Sequence, residues 1–172
     1  MNDRDGVQAK SVFSGWNYSI VLTEMGQLFS FGWGMYGQLG QGDLTNEFLP
    51  RPIDFASETG DVDAGDYDDD DEDIVDCACG LWHAVAITES GKVYTWGYGK
   101  DGQMGHGTNK GSTVPQLVTA LKDVRATQGE LYAWGFNAFG QVKSLEPSGE
   151  GEPVEGVNVL WPTKGVLFTY EG

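Results

Sequence analysis

The sequence contains few cysteines, few basic residues and no long hydrophobic stretch. Each of these shortages excludes some classes of protein. The two cysteines, Cys77 and Cys79, are too few for the disulfide framework of a small secreted domain. No apolar run approaches the roughly 18 to 20 residues that a membrane-spanning helix needs. Residues 1–10 lack the apolar centre of a secretory signal peptide. We therefore expect no membrane association and a location in the cytoplasm, the nucleus or both.

The shortage of Lys and Arg sets the charge of the chain. Ten basic residues stand against 26 acidic residues, and the formal net charge at pH 7 is −16. No basic stripe is available to displace counterions from a nucleic-acid backbone, so direct binding to DNA or RNA is not expected. A basic protein partner suits this charge.

Glycine and aromatic residues, by contrast, are abundant. The chain has 26 glycines in 172 residues, about double the usual share, without the three-residue period of collagen. Hydrophobic residues make up 40% and aromatic residues 12%, which is too much for a disordered chain. Because glycine takes positive φ angles without steric cost, this composition indicates a folded domain with many tight turns.

The glycines belong to an internal repeat. A shift of 65 residues aligns residues 12–53 with residues 77–118 without a gap, and 11 positions are identical, seven of them glycine. A third copy begins abruptly, because residues 129–141 match residues 91–103. A degenerate half-repeat over residues 157–172 resembles residues 76–91. The two spacings, 65 and 38 residues, average close to 50, a period typical of stacked repeats or propeller blades.

Each repeat reads as antiparallel strands. Residues 19–23 and 27–31 flank a turn at residues 24–26, and residues 84–88 and 92–96 repeat this hairpin signal. The later strand alternates large aromatic residues with small or aliphatic ones, which suits sheets stacked on both sides. We place Pro50, Pro52 and Pro115 in segments that cross from one sheet to the next. The pattern predicts an all-β fold made of propeller-type blades.

These motifs resemble the repeat of the regulator of chromosome condensation family, in which a G-x-x-H step leads through a hairpin to a W-G step and a G-Q-L-G turn. The second copy carries the closest match, at Gly80, His83, Thr88, Gly91, Trp96, Gly97, Gly102, Gln103 and Gly105. The first copy has Tyr18 where the family has His and Phe31 where it has Trp. The resemblance implies a seven-bladed β-propeller, with a structural hydrogen bond of His83 inside its blade.

The chain departs from the full ring of the family. We expect one domain over residues 1–172, an incomplete β-propeller with units at about 11–53, 74–118 and 129–172 and an acidic insertion at 58–73. Three repeats cannot close a seven-bladed ring, and Lys143 stands where the third counterpart of Gly105 would be. Three interpretations stay open: a fragment, a truncated or permuted product, and a partial propeller completed by self-association.

One motif invites a different interpretation, because residues 32–37 spell G-x-G-x-x-G, as in loops that bind nucleotide phosphates. The residues that follow are rich in glycine and cannot begin a good helix, which a phosphate loop requires. The pattern recurs at 97–102, and at 135–140 Asn137 replaces the middle glycine, a change typical of a turn with positive φ. We therefore interpret the repeat-motif residues as structural: Gly32, Gly34, Gly37, Gly97, Gly99, Gly102, Gly135, Asn137, Gly140, His83, Trp96 and Trp134.

The remaining candidates for chemistry do not assemble into a catalytic, cofactor or metal site. Cys77 and Cys79 are two residues apart and therefore share one face of a strand. The sequence provides no second pair of ligands for zinc. Both cysteines are predicted to be buried. His83 has no nucleophile or carboxylate partner that the sequence places beside it. Trp33, Trp96 and Trp134 are interpreted as packing between blades. No cofactor is expected.

The most distinctive segment outside the repeat is acidic. Between residues 58 and 76 there are 11 acidic residues, and no Lys or Arg occurs from residue 52 to residue 91. The densest part fails the calcium-loop pattern because its sixth position is not glycine. One interpretation is an insertion that is exposed to solvent and has no binding role. The other is that the segment docks a basic partner through its acidic side chains: Asp66, Asp68, Asp69, Asp70, Asp71, Glu72 and Asp73.

Together these observations predict a non-enzymatic protein-interaction module. The partner would be a protein, either a small GTPase or a basic protein such as a histone. The alternative that the resemblance raises is guanine nucleotide exchange on a small Ran-like GTPase, although no motif here identifies residues for it. An inert truncated product is a third interpretation, because exposed blade edges invite aggregation.

Overall fold

The structure, a computed structural model, describes residues 7–55, 72–124 and 132–135, together with the strand at 159–164. In this part of the chain nearly all regular structure is antiparallel β-sheet. The first blade consists of β1 (Ala9–Ser14), β2 (Tyr18–Thr23), β3 (Leu28–Gly32) and β4 (Glu47–Pro52), paired in that order. The second blade consists of β5 (Ile74–Cys79), β6 (His83–Thr88), β7 (Val93–Gly97) and β8 (Ser112–Leu117). A single 3-10 turn at Thr119–Leu121 and a third, two-stranded sheet of β9 (Tyr132–Gly135) and β10 (Val159–Lys164) follow.

The predicted hairpins are confirmed in both blades. The Thr23 hydroxyl accepts a hydrogen bond from the Gln27 N–H over 3.0 Å, and Thr88 repeats this contact with Lys92 over 3.1 Å. Gly26 completes the first turn with φ of 70°, a conformation that favours glycine. The T-x-x-G spacing of the repeat is therefore a hairpin that caps its own turn with a threonine side chain.

The prolines lie elsewhere than expected. Pro50 and Pro52 are within β4 and Pro115 is within β8, so the prediction that they lie in crossing segments is wrong. Both strands stand at one edge of their four-stranded sheet. An edge strand tolerates proline because its outward-facing N–H groups need no ladder partner. The prolines thus mark the outer strand of each blade.

The third sheet repeats the last two strands of a blade. Gly135 pairs with Val159 and Tyr132 with Lys164, just as Gly97 pairs with Ser112 and Tyr94 with Leu117. An irregularity interrupts both pairs at the same place. Strand β10 therefore has the register of β8. The predicted likeness of residues 157–172 to residues 76–91 is wrong for this strand, because the insertion before β10 hides its correspondence to residues 112–117.

The core lies between the two blades. The face of the first blade that carries Ile20, Leu22 and Leu28 packs against the second blade, where Ala84 and Ala86 leave room for these larger side chains. Trp96 fills the same interface and is 0% exposed. The opposite face of the second blade packs Val93 and Val118 against side chains that include Tyr132 and Trp134. Blades stacked face to face are thus held by alternating large and small residues.

Buried hydroxyls fix the long loops to these sheets. Ser30 donates a hydrogen bond to the Leu39 carbonyl oxygen over 2.6 Å, and Thr95 donates one to the Met104 carbonyl oxygen over 2.7 Å. Each hydroxyl is fully or almost fully buried. The loop after β3 and the loop after β7 are therefore held in the same conformation. Among the described residues, no helix is long and apolar enough to cross a membrane.

Candidate functional site

The antiparallel strands place the loops of both blades at two opposite ends. One end, the aromatic rim, consists of the β1–β2, β3–β4, β5–β6 and β7–β8 loops at residues 15–17, 33–46, 80–82 and 98–111. The other end, the hairpin rim, consists of the turns at 24–27 and 89–92 and of residues 53–55 and 72–73. With five or six residues in each strand of the two blades, the two rims are roughly 20 Å apart.

The glycine-rich loop at 32–37 contains no phosphate cradle, because its N–H groups are used within the chain. The Gly34 N–H donates to the Asn46 side-chain oxygen over 3.0 Å, and the Tyr36 N–H donates to the Gln38 side-chain oxygen over 2.9 Å. The second blade repeats the latter contact between Asp101 and Gln103 over 2.8 Å. The loop is a self-capped turn, which agrees with the structural interpretation of its glycines.

The reason proposed for the middle glycine is nevertheless wrong. Positive φ angles occur at the first and last glycines of both loops, Gly32, Gly37, Gly97 and Gly102, and at Gly135. Gly34 and Gly99 are not among the residues with positive φ. A Cβ at Gly34 would overlap the Thr45 carbonyl oxygen. Close approach of the chain to itself therefore requires the middle glycine, and Asn137 and Gly140 of the third copy lie outside the described residues.

The tryptophan of the W-G step connects neighbouring blades. The Trp96 indole N–H donates to the Gln38 carbonyl oxygen over 3.0 Å, and the Trp134 indole N–H donates to the Gln103 carbonyl oxygen over 2.8 Å. Trp96 and Trp134 thus pack between blades as predicted. Trp33 does not, because its ring lies edge-on to Tyr36 at the aromatic rim, with centroids 5.2 Å apart.

The G-x-x-H step forms a second connection, in which Tyr18 takes the place of His in the first blade. The Tyr18 hydroxyl donates to the His83 carbonyl oxygen over 2.5 Å and lies 3.2 Å from the Gly80 carbonyl oxygen. Burial and the neighbouring Cys79 and Cys77 thiols raise the pKa of Tyr18 above its ordinary value. The phenol therefore stays protonated and able to donate.

His83 occupies the same position in the second blade. Its ring packs on Gly80, where any Cβ would overlap it, and burial lowers the pKa of the imidazole. A neutral ring packed on glycine is a structural element of the blade. No hydrogen-bond partner of this ring is found among the described residues, so the bond implied by the family resemblance stays a prediction.

The two cysteines lie on one face of β5 beside Tyr18. Cys77 is buried as predicted, Cys79 is half-buried, and both are free thiols. The hydrogen bond between the thiols lowers the pKa of Cys79, against the effect of burial, and Tyr18 adds to the lowering. The same hydrogen bond, together with burial, raises the pKa of Cys77. Within the described residues, no cluster of three or more His, Cys, Asp and Glu side chains is placed to hold a metal ion.

The aromatic rim carries a cluster that the sequence interpretation missed. Five rings form one connected cluster, with centroid separations from 5.1 to 5.9 Å: Trp16 stacks on Trp82, the rings of Trp82, Tyr36 and Tyr98 contact one another, and Trp33 contacts Tyr36. Trp16 is 69% exposed and Tyr36 40% exposed. A signal for the cluster was present, because Trp33 and Tyr98 occupy the same position of the two repeats.

The hairpin rim holds the end of the acidic segment. The Ile74 N–H donates to the Gly26 carbonyl oxygen over 2.9 Å, and the Asp73 carbonyl oxygen accepts from the Glu89 N–H over 3.0 Å. The chain at residues 73–74 is thus bound to the hairpin tips of both blades. Glu72 and Asp73 also line a cleft together with Asp54, Phe55 and Met25. The other predicted acidic contacts, Asp66, Asp68, Asp69, Asp70 and Asp71, lie outside the described residues.

Glu72 is engaged within the protein. Its carboxylate pairs with the Lys92 ammonium over 2.8 Å and accepts a hydrogen bond from Ser90. Burial alone would raise the pKa of Glu72, but the hydrogen bonds from Lys92, Ser90 and Thr88 and the Lys92 charge outweigh it and lower the pKa to about 2. Glu72 therefore anchors the acidic segment, and Asp73 and Asp54 line the same cleft.

Comparison with known proteins agrees with this geometry. The family model of the regulator of chromosome condensation (RCC1) repeat matches residues 25–87 and 90–128, and a second model of the same repeat matches residues 74–103. The ultraviolet-B receptor UVR8 of Arabidopsis thaliana is 34% identical over 152 residues, which cover 80% of this chain and 32% of the receptor. The protein RCC2 homolog of Xenopus laevis is 34% identical over 154 residues, which cover 80% of this chain and 27% of the relative.

Solved structures show the same fold over part of their length. Human WBSCR16 superposes with a TM-score of 0.67 at 20% identity, covering 95% of this chain and 39% of that structure. Prp20p of Saccharomyces cerevisiae superposes with a TM-score of 0.66 at 20% identity, covering 93% and 39%. The chain spans about a third of the length of these relatives, and its fold is an incomplete β-propeller. On its repeat motifs, its blade geometry and these matches, the chain belongs to the regulator of chromosome condensation repeat family.

Proposed function

We propose that this chain is a non-enzymatic protein-interaction module that docks a basic partner protein at its hairpin rim. The observation that carries the proposal is the acidic cleft lined by Asp54, Asp73 and the anchored Glu72, beside the apolar side chains of Met25 and Phe55. Apolar contact beside like charges is a composition that binds an oppositely charged segment. In the sequence, the acidic residues at 66–71 immediately precede Glu72 and Asp73.

The class of partner is a basic protein, with histones as the first candidates. The structure of Prp20p was described together with its binding to Gsp1p and histones, and the shared fold makes both reasonable probes here. Charge favours the histone, because the chain carries −16 at pH 7. A cytoplasmic or nuclear location would give access to either partner.

The test is binding of core histones to the wild-type chain and to a variant with Asn at Asp66, Asp68, Asp69, Asp70, Asp71 and Asp73. We expect about tenfold weaker binding of the variant at 0.1 M salt, and a difference that fades as salt rises, because exposed charges are screened. A matched control replaces Asp101 with Asn at the other rim and should bind as the wild type does. Equal binding of all three proteins would exclude the acidic surface.

Guanine nucleotide exchange is the alternative function. Its test is release of a labelled nucleotide from a panel of Ran-like small GTPases in the presence of this chain. We expect no acceleration, because an interaction module has no need to stabilise the nucleotide-free partner. Acceleration with any one of them would replace the proposed function with exchange.

A further inference from the structure

A pair of thiols at the contact between the two blades has no role in the proposed docking of a partner. Cys77 and Cys79 share one face of β5, which is an edge strand of its sheet. Cys77 is 5% exposed, whereas Cys79, the last residue of the strand, is half-buried. Both thiols are free. The pair therefore consists of one thiol inside the core and one thiol at its boundary.

Cys79 lines a groove of about 580 Å³ at the end of the blades. The other described residues that line this groove carry no charge: Ser14, Gly15, Trp16, Gly80 and Leu81. Trp16 and Leu81 are 69% and 56% exposed, so the groove is continuous with the solvent. A small neutral reagent can therefore reach the Cys79 sulfur, whereas the net charge of −16 disfavours the approach of an anion.

Two hydrogen-bond donors contact the Cys79 sulfur. The Cys77 thiol donates to it, and so does the Tyr18 hydroxyl, which belongs to the first blade. These two hydrogen bonds lower the pKa of Cys79, although burial opposes them. Hydrogen bonds to the charged form stabilise a thiolate, and the thiolate is the form of cysteine that attacks an oxidant.

The extended strand keeps the two sulfur atoms from joining. Residues two apart in a strand are separated by roughly 6.6 Å, and their Cβ atoms point to the same side. A disulfide needs Cβ atoms about 3.5 to 4.5 Å apart. The two thiols can therefore share a hydrogen bond, but they form no disulfide unless β5 leaves its pairing with Ala84 and Ala86. An oxygen atom added to Cys79 is consequently retained.

We propose that Cys79 is a modification site, at which hydrogen peroxide converts the thiolate to a sulfenic acid. The sulfur attacks one oxygen atom of the peroxide, an S–O bond forms and the O–O bond breaks. The second oxygen atom leaves as hydroxide and takes up a proton from solvent to become water. The sulfur is oxidised by two electrons, and the peroxide is reduced by the same two.

The modification alters the contact between the blades. The Tyr18 hydroxyl that touches Cys79 also donates to the His83 carbonyl oxygen of the second blade. A sulfenic acid places a new acceptor oxygen beside this hydroxyl, and that oxygen competes for its single proton. Oxidation of Cys79 therefore weakens one of the hydrogen bonds that connect the blades. The site does not depend on docking of a partner at the acidic cleft.

The experiment treats the full chain with hydrogen peroxide at pH 7 in the presence of dimedone, which traps sulfenic acids as stable thioethers. Tandem mass spectrometry with fragmentation between Cys77 and Cys79 locates the label. The same reaction in concentrated urea gives the rates of the unfolded thiols. The variants are Cys77→Ala and Tyr18→Phe, which each remove one donor, and Ser14→Ala, which changes the groove alone. Urea unfolding verifies that each variant is folded.

In the folded wild type, Cys79 should be labelled at least about threefold faster than in urea, because the donors stabilise its thiolate. Cys77 should be labelled at least about tenfold more slowly than Cys79. Cys77→Ala and Tyr18→Phe should each slow the labelling of Cys79 about twofold or more, and Ser14→Ala should match the wild type. Peroxide without dimedone should lower the urea midpoint of the wild type, and should lower that of Tyr18→Phe by less.

Three results would overturn the proposal. Labelling of Cys79 that is no faster in the folded protein than in urea would show an ordinary exposed thiol. A product that lacks two hydrogen atoms and carries no label would be a disulfide between Cys77 and Cys79. An equal decrease of the urea midpoint in the wild type and in Tyr18→Phe would exclude the effect on the contact between the blades.

Discussion

The indole N–H of Trp96 in the second blade donates a hydrogen bond to the carbonyl oxygen of Gln38 in the first blade, over 3.0 Å. Trp134 makes the same bond to Gln103 one blade further on. The tryptophan of the W-G step in one repeat is therefore hydrogen-bonded to the glutamine carbonyl of the G-Q step in the repeat before it. Phe31, which replaces Trp in the first copy, carries no donor for a bond of this kind.

Substitution of Trp96 by Phe tests this connection. The smaller ring keeps most of the buried contact but leaves the Gln38 carbonyl without its donor. Loss of the bond at a buried site should lower the free energy of unfolding by about 1 to 3 kcal/mol, measured in urea. Trp16→Phe, at an exposed position, should leave the free energy unchanged. Equal stability of Trp96→Phe and the wild type would show that the bond contributes nothing.

Substitution of Tyr18 by Phe tests the second connection. The variant keeps the ring and removes the hydroxyl that donates to the His83 carbonyl oxygen. Because that oxygen also accepts from the Gly80 N–H, it keeps one partner, and the loss should be about 0.5 to 1.5 kcal/mol in the free energy of unfolding. Tyr36→Phe serves as the control at the aromatic rim. A loss of the same size in both variants would contradict a specific role for Tyr18.

The anchor of the acidic segment has a defined pH dependence. The pKa of Glu72 is lowered to about 2, from an ordinary value of 4.5. A lowered pKa stabilises the folded state fully above pH 4.5, and this contribution is lost as the pH falls toward 2. Glu72→Gln should therefore cost about 0.5 to 1 kcal/mol at pH 7.

The comparison with wild type at low pH completes this test. The difference in unfolding free energy between the wild type and Glu72→Gln should shrink between pH 4.5 and pH 2. Glu24→Gln serves as a control, because Glu24 lies at the first hairpin turn and forms no ion pair with the described part of the chain. A difference that stays constant across this pH range would exclude the Glu72–Lys92 pair as its source.

The two thiols should react at different rates. The pKa of Cys79 is lowered by its hydrogen bond from Cys77, and Cys79 is half-buried, whereas Cys77 is buried and its pKa is raised. At pH 8, iodoacetamide should alkylate Cys79 at least about tenfold faster than Cys77, because the thiolate is the reactive form. Both cysteines lie in one tryptic peptide, so tandem mass spectrometry with fragmentation between them, followed over time, gives both rates. Comparable rates in the folded protein would contradict the assignment.

Local sequence signals predicted the fold well where the repeat is regular. The hairpins around Gly26 and Gly91 followed from turn residues between alternating strands, and both are present. The expectation that Pro50 and Pro115 lie in segments crossing between sheets is wrong because an edge strand accommodates proline. The expectation of a positive φ at the middle glycine is wrong as well. Gly34 is required by its close approach to Thr45, a tertiary contact that a local sequence pattern does not reveal.

The candidate site could be predicted only in part. The acidic segment stands out by composition alone, and the structure adds Asp54, which stands outside residues 58–73 but lines the same cleft as Glu72 and Asp73. The aromatic rim was missed because Trp16 and Trp82 come from different repeats and meet only when the blades stack. The sequence alone does not distinguish core tryptophans from exposed ones, whereas the structure shows Trp96 buried and Trp16 exposed.

Hydrogen exchange with and without core histones, followed by mass spectrometry, tests the central claim of partner docking most directly. Slower exchange on addition of histones is predicted for the backbone at residues 24–27, 53–55 and 72–74, which surround the acidic cleft. Residues 9–14, on the first strand, should exchange as before. Unchanged exchange throughout the hairpin rim, at histone concentrations that saturate the acidic segment, would contradict the proposed function.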